Sequence, residues 1–292
     1  AETQPGVVSI NTYPDTHADY VRESLKVNAH VFVEKPLATS VEEAESLVKL
    51  AKTYNKKLVI GYILRVHPAW TKFVEIAQTL GAPLVMRMNL NQQSFGDQWH
   101  THKQLMKSMS PIVDCGVHYV DIMCLMTKSK PISVSAIGAR LTDEISPKMY
   151  NYGQLQVRFE NGSVGWYEAG WGPMMSETAF FVKDVIGPKG AVSIIDEAKG
   201  ESQDIEGHTK TGCLKLHHSQ LDANGDFKKK DEFLSTADEP NHDELCLLEQ
   251  KYLLKSIIND IDLTAHMNDA INSLKIVLAA DEAFKTGKLI EL

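Results

Sequence analysis

No apolar run in the 292 residues approaches the roughly 20 that a helix needs to cross a bilayer, and no basic-then-apolar leader opens the chain. Membrane spans and membrane partners are therefore not expected. Cysteine is scarce. The four residues, Cys115, Cys124, Cys213 and Cys246, show neither C-x-x-C nor zinc-finger spacing, which argues against a disulfide scaffold and makes a reducing cytoplasm the expected compartment. Positive charge is in deficit as well: 30 Lys and Arg against 38 Asp and Glu leave a formal net charge of -8. Nucleic-acid backbones are held by clustered cations, so no nucleic-acid partner is expected. The one basic run, Lys228-Lys229-Lys230, lies between Asp226 and Asp231 and reads as a solvated turn. Also missing is a glycine-rich loop of the form Gly-x-Gly-x-x-Gly between a buried strand and a helix. Gly170-Trp171-Gly172 has Met175 at the third glycine position, and Gly187-Pro188-Lys189-Gly190 reads as a turn between strands.

What is present suits two domains. With 43% apolar and 23% charged residues, the chain can bury a substantial core. Residues 6–64 alternate short continuous apolar runs with amphipathic segments: strands at 6–11, 30–33 and 58–64, and helices at about 16–27 and 41–54. Continuous apolar strands belong to a parallel sheet covered on both faces. Ser40 and Glu43 have capping-box spacing ahead of the second helix. Beyond Pro68 the pattern changes to a helix (about 69–80), an alternating strand (84–91), and one helix through Asp114 and His118. Two hairpins follow, the first turning at Asn161-Gly162 and the second at Gly187–Gly190 between strands 180–186 and 191–195. Residues 199–212 read as a loop, and two long helices, about 243–259 and 266–286, close the chain, with Gly287 as the final cap. The expected fold is α/β: a partial doubly wound parallel sheet over residues 1–66, then an α+β domain over 67–292 with a large, mainly antiparallel open sheet.

Two segments carry chemistry. In Ala29-His30-Val31-Phe32-Val33-Glu34-Lys35-Pro36 a lysine and its neighbouring glutamate stand where an apolar strand ends, and strand carboxyl ends are where open α/β sheets bind ligands. In Asp114-Cys115-Gly116-Val117-His118-Tyr119-Val120-Asp121, the Asp, His and second Asp stand at i, i+4 and i+7, one face of a helix. Taken alone, Glu34-Lys35 is equally a surface pair, and Asp114 with His118 a helix-start carboxylate with an i+4 partner. That spacing also suits two metal ligands, but His100 and His102 lie in a different segment and His217-His218 reads as strand, so no metal is expected.

Together the two segments resemble the Glu-Lys-Pro and Asp-x-Gly-x-His motifs of the glucose-fructose oxidoreductase/inositol dehydrogenase (Gfo/Idh/MocA) family, and the resemblance extends from residue 6 to 292. It implies an oxidoreductase that moves a hydride between NAD or NADP and a sugar, sugar derivative or cyclic polyol. Such chemistry needs a base for the hydroxyl proton and a cation for the developing alkoxide. The family's catalytic positions carry over to Lys35, Asp114 and His118: His118 as base, Lys35 as the polarising cation, Asp114 orienting His118 or holding a substrate hydroxyl. Asn11-Thr12-Tyr13-Pro14-Asp15-Thr16-His17 resembles the family's cofactor-side turn, usually Thr-Pro-x-x-x-His, with Tyr13 where proline is usual. Asn11, Thr12, Tyr13, His17, Glu34 and Lys35 are then the cofactor-binding candidates. Gly61-Tyr62-Ile63-Leu64-Arg65 resembles Gly-x-x-x-Arg at the domain crossing, which adds Arg65 and Asp121 to Asp114 and His118 as substrate-binding candidates; for Arg65 a hinge ion pair is equally compatible. Ser108-Met109-Ser110-Pro111 departs from the glycines usual before the Asp-x-Gly-x-His helix, and with Trp99, His100, Tyr150 and Trp171 it is a candidate for the pocket lining. Since the family's glycine loop is missing, the chain is expected to start at about the fourth strand of its cofactor domain and to bind cofactor abnormally. The competing expectations are a non-enzymatic sugar or dinucleotide sensor and an oligomerising module of the same fold. A homodimer or homotetramer through the open sheet is expected.

Overall fold

Short apolar runs, each followed by an amphipathic segment, build the first layer. The computed structural model, which describes residues 3–176, 182–195, 211–236 and 238–292, places β1 (Val7–Ile10), α1 (Pro14–Lys26), β2 (His30–Glu34), α2 (Val41–Thr53) and β3 (Leu58–Gly61) in that order. The strands pair in parallel as β1-β2-β3. Val31, Phe32, Val33, Leu58, Val59 and Ile60 are all buried, so β2 and β3 are each covered on both faces as a parallel sheet requires. The helices begin where the sequence marks them. Pro14 occupies the first turn of α1, where its missing N–H is not needed, and Ser40 Oγ accepts the Glu43 N–H at 3.2 Å.

A short 3-10 turn, Ile63–Arg65, leads into the second layer. Its elements are α3 (Pro68–Thr79), β4 (Val85–Gln93), α4 (Gly96–Leu105), α5 (Pro111–Asp114), α6 (Gly116–Thr127), β5 (Pro131–Ala139), β6 (Tyr152–Phe159), β7 (Val164–Gly172), β8 (Lys183–Gly187), β9 (Gly190–Ile195), β10 (Cys213–His218), β11 (Glu232–Ser235), α7 (His242–Ile258), α8 (Thr264–Thr286) and β12 (Ile290–Glu291). Among the described residues the strands form one nine-stranded sheet in the order β11-β10-β9-β8-β4-β7-β6-β5-β12. Every neighbouring pair is antiparallel except β4–β7. That pair is parallel because α4 to α6 and the β5–β6 hairpin intervene, a crossover long enough to return the chain in the same direction. The Asn161-Gly162 turn joins β6 to β7, with Gly162 at φ +83°, a conformation open to glycine and costly for other residues. Alternation is clear in β6, where Gly153, Leu155, Val157 and Phe159 face the helices. The expected start of β8 at 180 and most of the expected 199–212 loop fall outside the described residues. No helix among the described residues is long and apolar enough to cross a membrane.

Two differences from the sequence reading concern the region before the site. The helix α4 was not foreseen; Trp99 and His102 are its only buried residues, too few to leave a periodic apolar stripe. The single helix expected through Asp114 and His118 is two, α5 and α6. The ladder tightens where they meet, the His118 N–H bonding to Cys115 O at 3.3 Å, three residues back.

Helix α8 ties the layers together. Its His266 Nε2 accepts the N–H of Ile60 at the outer edge of β3 (3.0 Å), Ser273 Oγ meets Tyr62 Oη at 2.8 Å, and Lys275 reaches Glu45 at 2.9 Å. An edge-strand donor that would otherwise face water or another chain is thereby satisfied. Burial pushes His266 down to about 3, so it stays neutral and keeps the lone pair that Ile60 needs.

Candidate active site

Lys35 follows directly on the buried strand β2, and its ammonium reaches 79 residues along the chain to Asp114. Nζ donates to the Asp114 carbonyl oxygen and to Oδ1, both at 2.9 Å. The carbonyl is available because Asp114 ends α5, where the last carbonyls of a helix lack intrahelical partners. The side chains are 19% and 20% exposed, which leaves the pair reachable from one side. Burial opposes the Lys35 charge, but Asp114, together with Cys115 and Glu34, outweighs that penalty and the pKa lies above its ordinary value. Lys35 is therefore a cation, suited to polarising an oxygen rather than accepting a proton.

The rest of the motif is held by packing. Ser110 Oγ accepts the Val113 N–H at 3.2 Å and Pro111 begins α5. A Cβ on Gly116 would stand 2.9 Å from Cε1 of the buried Tyr167 ring and 3.7 Å from Val277, so the glycine of Asp-x-Gly-x-His lets α6 lie close to β7. One turn on, His118 is 8% exposed and meets Tyr62 edge-on with ring centroids 6.1 Å apart. The structure thus brings Lys35 and Asp114 into contact and sets His118 in the adjacent turn. Asp114 grips the lysine, where the sequence reading had it orienting His118 or a substrate hydroxyl.

Of the substrate-binding candidates, Arg65 and Asp121 are joined to each other, the hinge ion pair that the sequence holds open for Arg65. Arg65 Nε and Nη2 donate to the two Asp121 carboxylate oxygens at 2.6 and 2.8 Å, and Nη2 also donates to Asp269 at 2.7 Å. Asp121 has no exposed surface. Burial pushes its carboxyl up to about 6 while Arg65 acts against that rise; the three residues form a closed ionic lock between the 3-10 turn, α6 and α8. Among the cofactor candidates, His17 also plays another part. It is fully buried, its Nδ1 2.7 Å from Pro36 O and its Nε2 2.9 Å from Thr12 O, so it staples the β1–α1 turn to the turn after Lys35. Glu34 is half-buried behind Lys35, with its pKa raised by burial. Asn11, Thr12 and Tyr13 do line open space: a cavity of about 1030 Å3 between that turn, the residues after Lys35, α4 and α8. Pro36 and Val113 are on its wall, whereas Lys35, Asp114 and His118 are not. His100, Ser108 and Met109 also line it; Trp99, Tyr150 and Trp171 are core residues.

Two sets of polar contacts carry no signal in the sequence pattern. His102 stacks on Trp171, with centroids 4.2 Å apart and planes at 8°, and its Nδ1 lies 3.0 Å from Ser94 Oγ. Burial pulls it down to about 4 against the opposing charge of Asp114, so it is a neutral hydrogen-bonding group and a poor base. Trp171 Nε1 donates to Gln92 Oε1 at 2.7 Å, and Cys115 Sγ points to the same oxygen at 3.6 Å. Nothing in linear spacing connects His102, Trp171 or Gln92 to Asp114. Among the described residues no cluster of three or more His, Cys, Asp or Glu could hold a metal ion.

Behind Glu34, Glu249 of α7 is 4% exposed, its Oε1 without a hydrogen-bond partner among the described residues. Burial, helped by the Glu34 charge, raises its pKa from an ordinary 4.5 to about 8. At about 1.36 kcal/mol per tenfold change in the ionisation constant, ionising it costs roughly 4 to 5 kcal/mol. The folded state holds this proton more tightly than the unfolded chain, so the stabilisation is complete below about pH 4.5 and is lost as pH rises through 8. Glu249→Gln is expected to flatten the fall in melting temperature between pH 6 and 9; an unchanged fall would show that another group causes it.

Comparison with known proteins places this arrangement. Residues 1–62 match the family model described as oxidoreductase family, NAD-binding Rossmann fold, and residues 76–193 match the GFO/IDH/MocA C-terminal domain. The chain belongs to the Gfo/Idh/MocA family. It is similar to the scyllo-inositol 2-dehydrogenase (NAD(+)) of Bacillus subtilis, 26% identical over 99% of this chain and 78% of that one. It is also similar to the UDP-N-acetylglucosamine 3-dehydrogenase of Acidithiobacillus ferrooxidans, 30% identical over 138 residues, 47% of this chain and 41% of that protein. For several other curated Gfo/Idh/MocA relatives the matched part likewise spans about two fifths of their length. Among solved structures, the aldose-aldose oxidoreductase of Caulobacter crescentus shares the fold with a TM-score of 0.75 at 18% identity, covering 98% of this chain and 79% of that one.

Gfo/Idh/MocA proteins use NAD or NADP, and the residues present fit the nicotinamide end of that group. The cavity is walled by Asn11, Thr12 and Tyr13, and Pro36 on its wall is joined to the cationic Lys35. The fit concerns that end alone, since the 292 residues contain no Gly-x-Gly-x-x-Gly run for a diphosphate.

Proposed function

We propose that the chain serves an NAD(P)-dependent oxidoreductase acting on a CH–OH group of a sugar, sugar derivative or cyclic polyol. The observation that carries the reading is the Lys35–Asp114 pair, a protonated lysine fixed by two hydrogen bonds at the end of a parallel strand. Bound nicotinamide supplies the hydride acceptor. The chain's own residues handle the oxygen and the proton: Lys35 donates to the substrate oxygen and stabilises the charge that develops there, and His118 takes the hydroxyl proton as general base. Asp114 positions Lys35. Because that pair holds Lys35 above its ordinary pKa, deprotonation of Lys35 does not set the alkaline limit of turnover in the neutral range. The cytoplasm is the proposed compartment. A homodimer or homotetramer is assigned to the open face of the large sheet, where Val164, Val85 and Ile186 stand in register on adjacent strands and remain exposed.

The test is an absorbance assay of nicotinamide reduction with NAD and NADP against scyllo-inositol, myo-inositol, D-xylose and UDP-N-acetylglucosamine, alongside calorimetric titration of the same ligands. Turnover of at least one substrate is expected. Binding of a polyol and a cofactor together without turnover would contradict the enzyme reading and leave a sensor in its place.

A further inference from the structure

Asp281, on α8, lines the 1030 Å3 cavity, and its carboxylate is only half engaged by the protein. Tyr150 Oη and Ser110 Oγ donate to the same oxygen, Oδ1, at 2.5 and 2.7 Å, and they lie 2.9 Å from each other. The other oxygen, Oδ2, takes no hydrogen bond from the described residues. Tyr150 is 3% exposed and Ser110 not at all, so the recess is built from buried, oriented donors. Ser110 already caps α5 through the Val113 N–H. A cap needs no carboxylate behind it.

We propose that Asp281, held by Ser110 and Tyr150, is a recognition site for ring hydroxyls, with Oδ2 accepting a hydrogen bond from one hydroxyl of a sugar-like diol bound in the cavity. The surroundings suit such a ligand. Tyr13 and Tyr20 line the cavity and are 73% and 53% exposed, offering ring faces to the C–H face of a sugar, and Thr101 and Gln104 of α4 add polar groups. The volume lies just above the about 300–1,000 Å3 of small-molecule pockets, room for a ring and a further substituent. Burial raises the Asp281 pKa, while Tyr150, Ser110 and the nearby Lys285 act to keep it ionised; an ionised acceptor makes the stronger hydrogen bond. The inference rests on the reading of the chain as a binder of polyols and nicotinamide nucleotides, because the same diol chemistry occurs in a substrate ring and in a cofactor ribose.

The test separates these sources. The 292-residue chain and its Asp281→Asn variant are titrated calorimetrically with myo-inositol and UDP-N-acetylglucosamine in one arm, and with NADH, NADPH and nicotinamide mononucleotide in the other. Asparagine keeps an oxygen for Tyr150 and Ser110, so the fold should hold, and a thermal melt checks it. Tyr150→Phe, which frees the carboxylate without removing it, is the second variant. Asp281→Asn is expected to weaken one arm about tenfold or more and leave the other unchanged, naming the source, with a smaller loss for Tyr150→Phe. Binding by the wild type that neither variant alters in either arm would overturn the Asp281 site and leave the functional reading intact. Failure of the wild type to bind any probe would overturn both.

Discussion

Arg65→Met is expected to destabilise the protein by about 3–5 kcal/mol, the loss typical when one partner of a buried ion pair is removed, and to lower the melting temperature by on the order of 10 °C. Arg65 is the common partner of Asp121, which has no exposed surface, and of Asp269. Methionine would leave the Asp121 carboxylate buried without a counterion, so the cost is the desolvation of an unpaired charge and not merely one lost contact. Arg65→Met with Asp121→Leu should recover part of the loss, since an apolar replacement of a whole buried pair is often neutral. The surface pair of Arg22 with Asp19, whose carboxylate side chain is 82% exposed, gives the contrast. Arg22→Ala is expected to cost under about 1 kcal/mol. Urea unfolding of the four proteins checks the ranking; equal midpoints for Arg65→Met and Arg22→Ala would contradict the assignment of Arg65 to structure.

Lys35→Met is expected to lower kcat by about 10²–10³-fold, the usual result of removing one preorganised donor to a developing oxyanion, with a much smaller change in KM. Stability should suffer less than in Arg65→Met, because Asp114 is 20% exposed and water can replace the lost donor. His118→Asn by itself is expected to cost a comparable factor through loss of the base, and the double variant should lose less than the product of the two, since both residues act on one oxygen and its proton. Steady-state kinetics on the substrate that turns over in the panel checks this. A Lys35→Met protein with unchanged kcat would remove the lysine from the mechanism.

The parts of this molecule legible in the sequence are those written in local pattern. Continuous apolar runs announced the parallel strands, Asn161-Gly162 announced the β6–β7 hairpin, and the two motifs named Lys35 and Asp114, whose contact spans 79 residues. Legibility failed where a residue's role depends on a distant partner. For Arg65 the sequence leaves a hinge ion pair open beside a site role, but its partners, Asp121 of α6 and Asp269 of α8, are named only by the fold. His17 has the spacing of a cofactor contact, but both ring nitrogens are taken by carbonyl oxygens of two turns. Asp281 reaches Ser110 across 171 residues, and no spacing within a helix points there. The parallel pairing of β4 with β7 was hidden for the same reason, since three helices and a hairpin separate the two strands.

The most direct test of the central claim is isotope transfer. The protein is incubated with NAD or NADP and a polyol carrying deuterium on its carbinol carbon, and the nicotinamide is examined by mass spectrometry. Deuterium should appear on the nicotinamide with the wild type and fall to near background with Lys35→Met and His118→Asn. Transfer that persists undiminished in both variants, or a wild type that binds polyol and cofactor and moves no deuterium, would contradict a hydride-transfer site built on Lys35, Asp114 and His118.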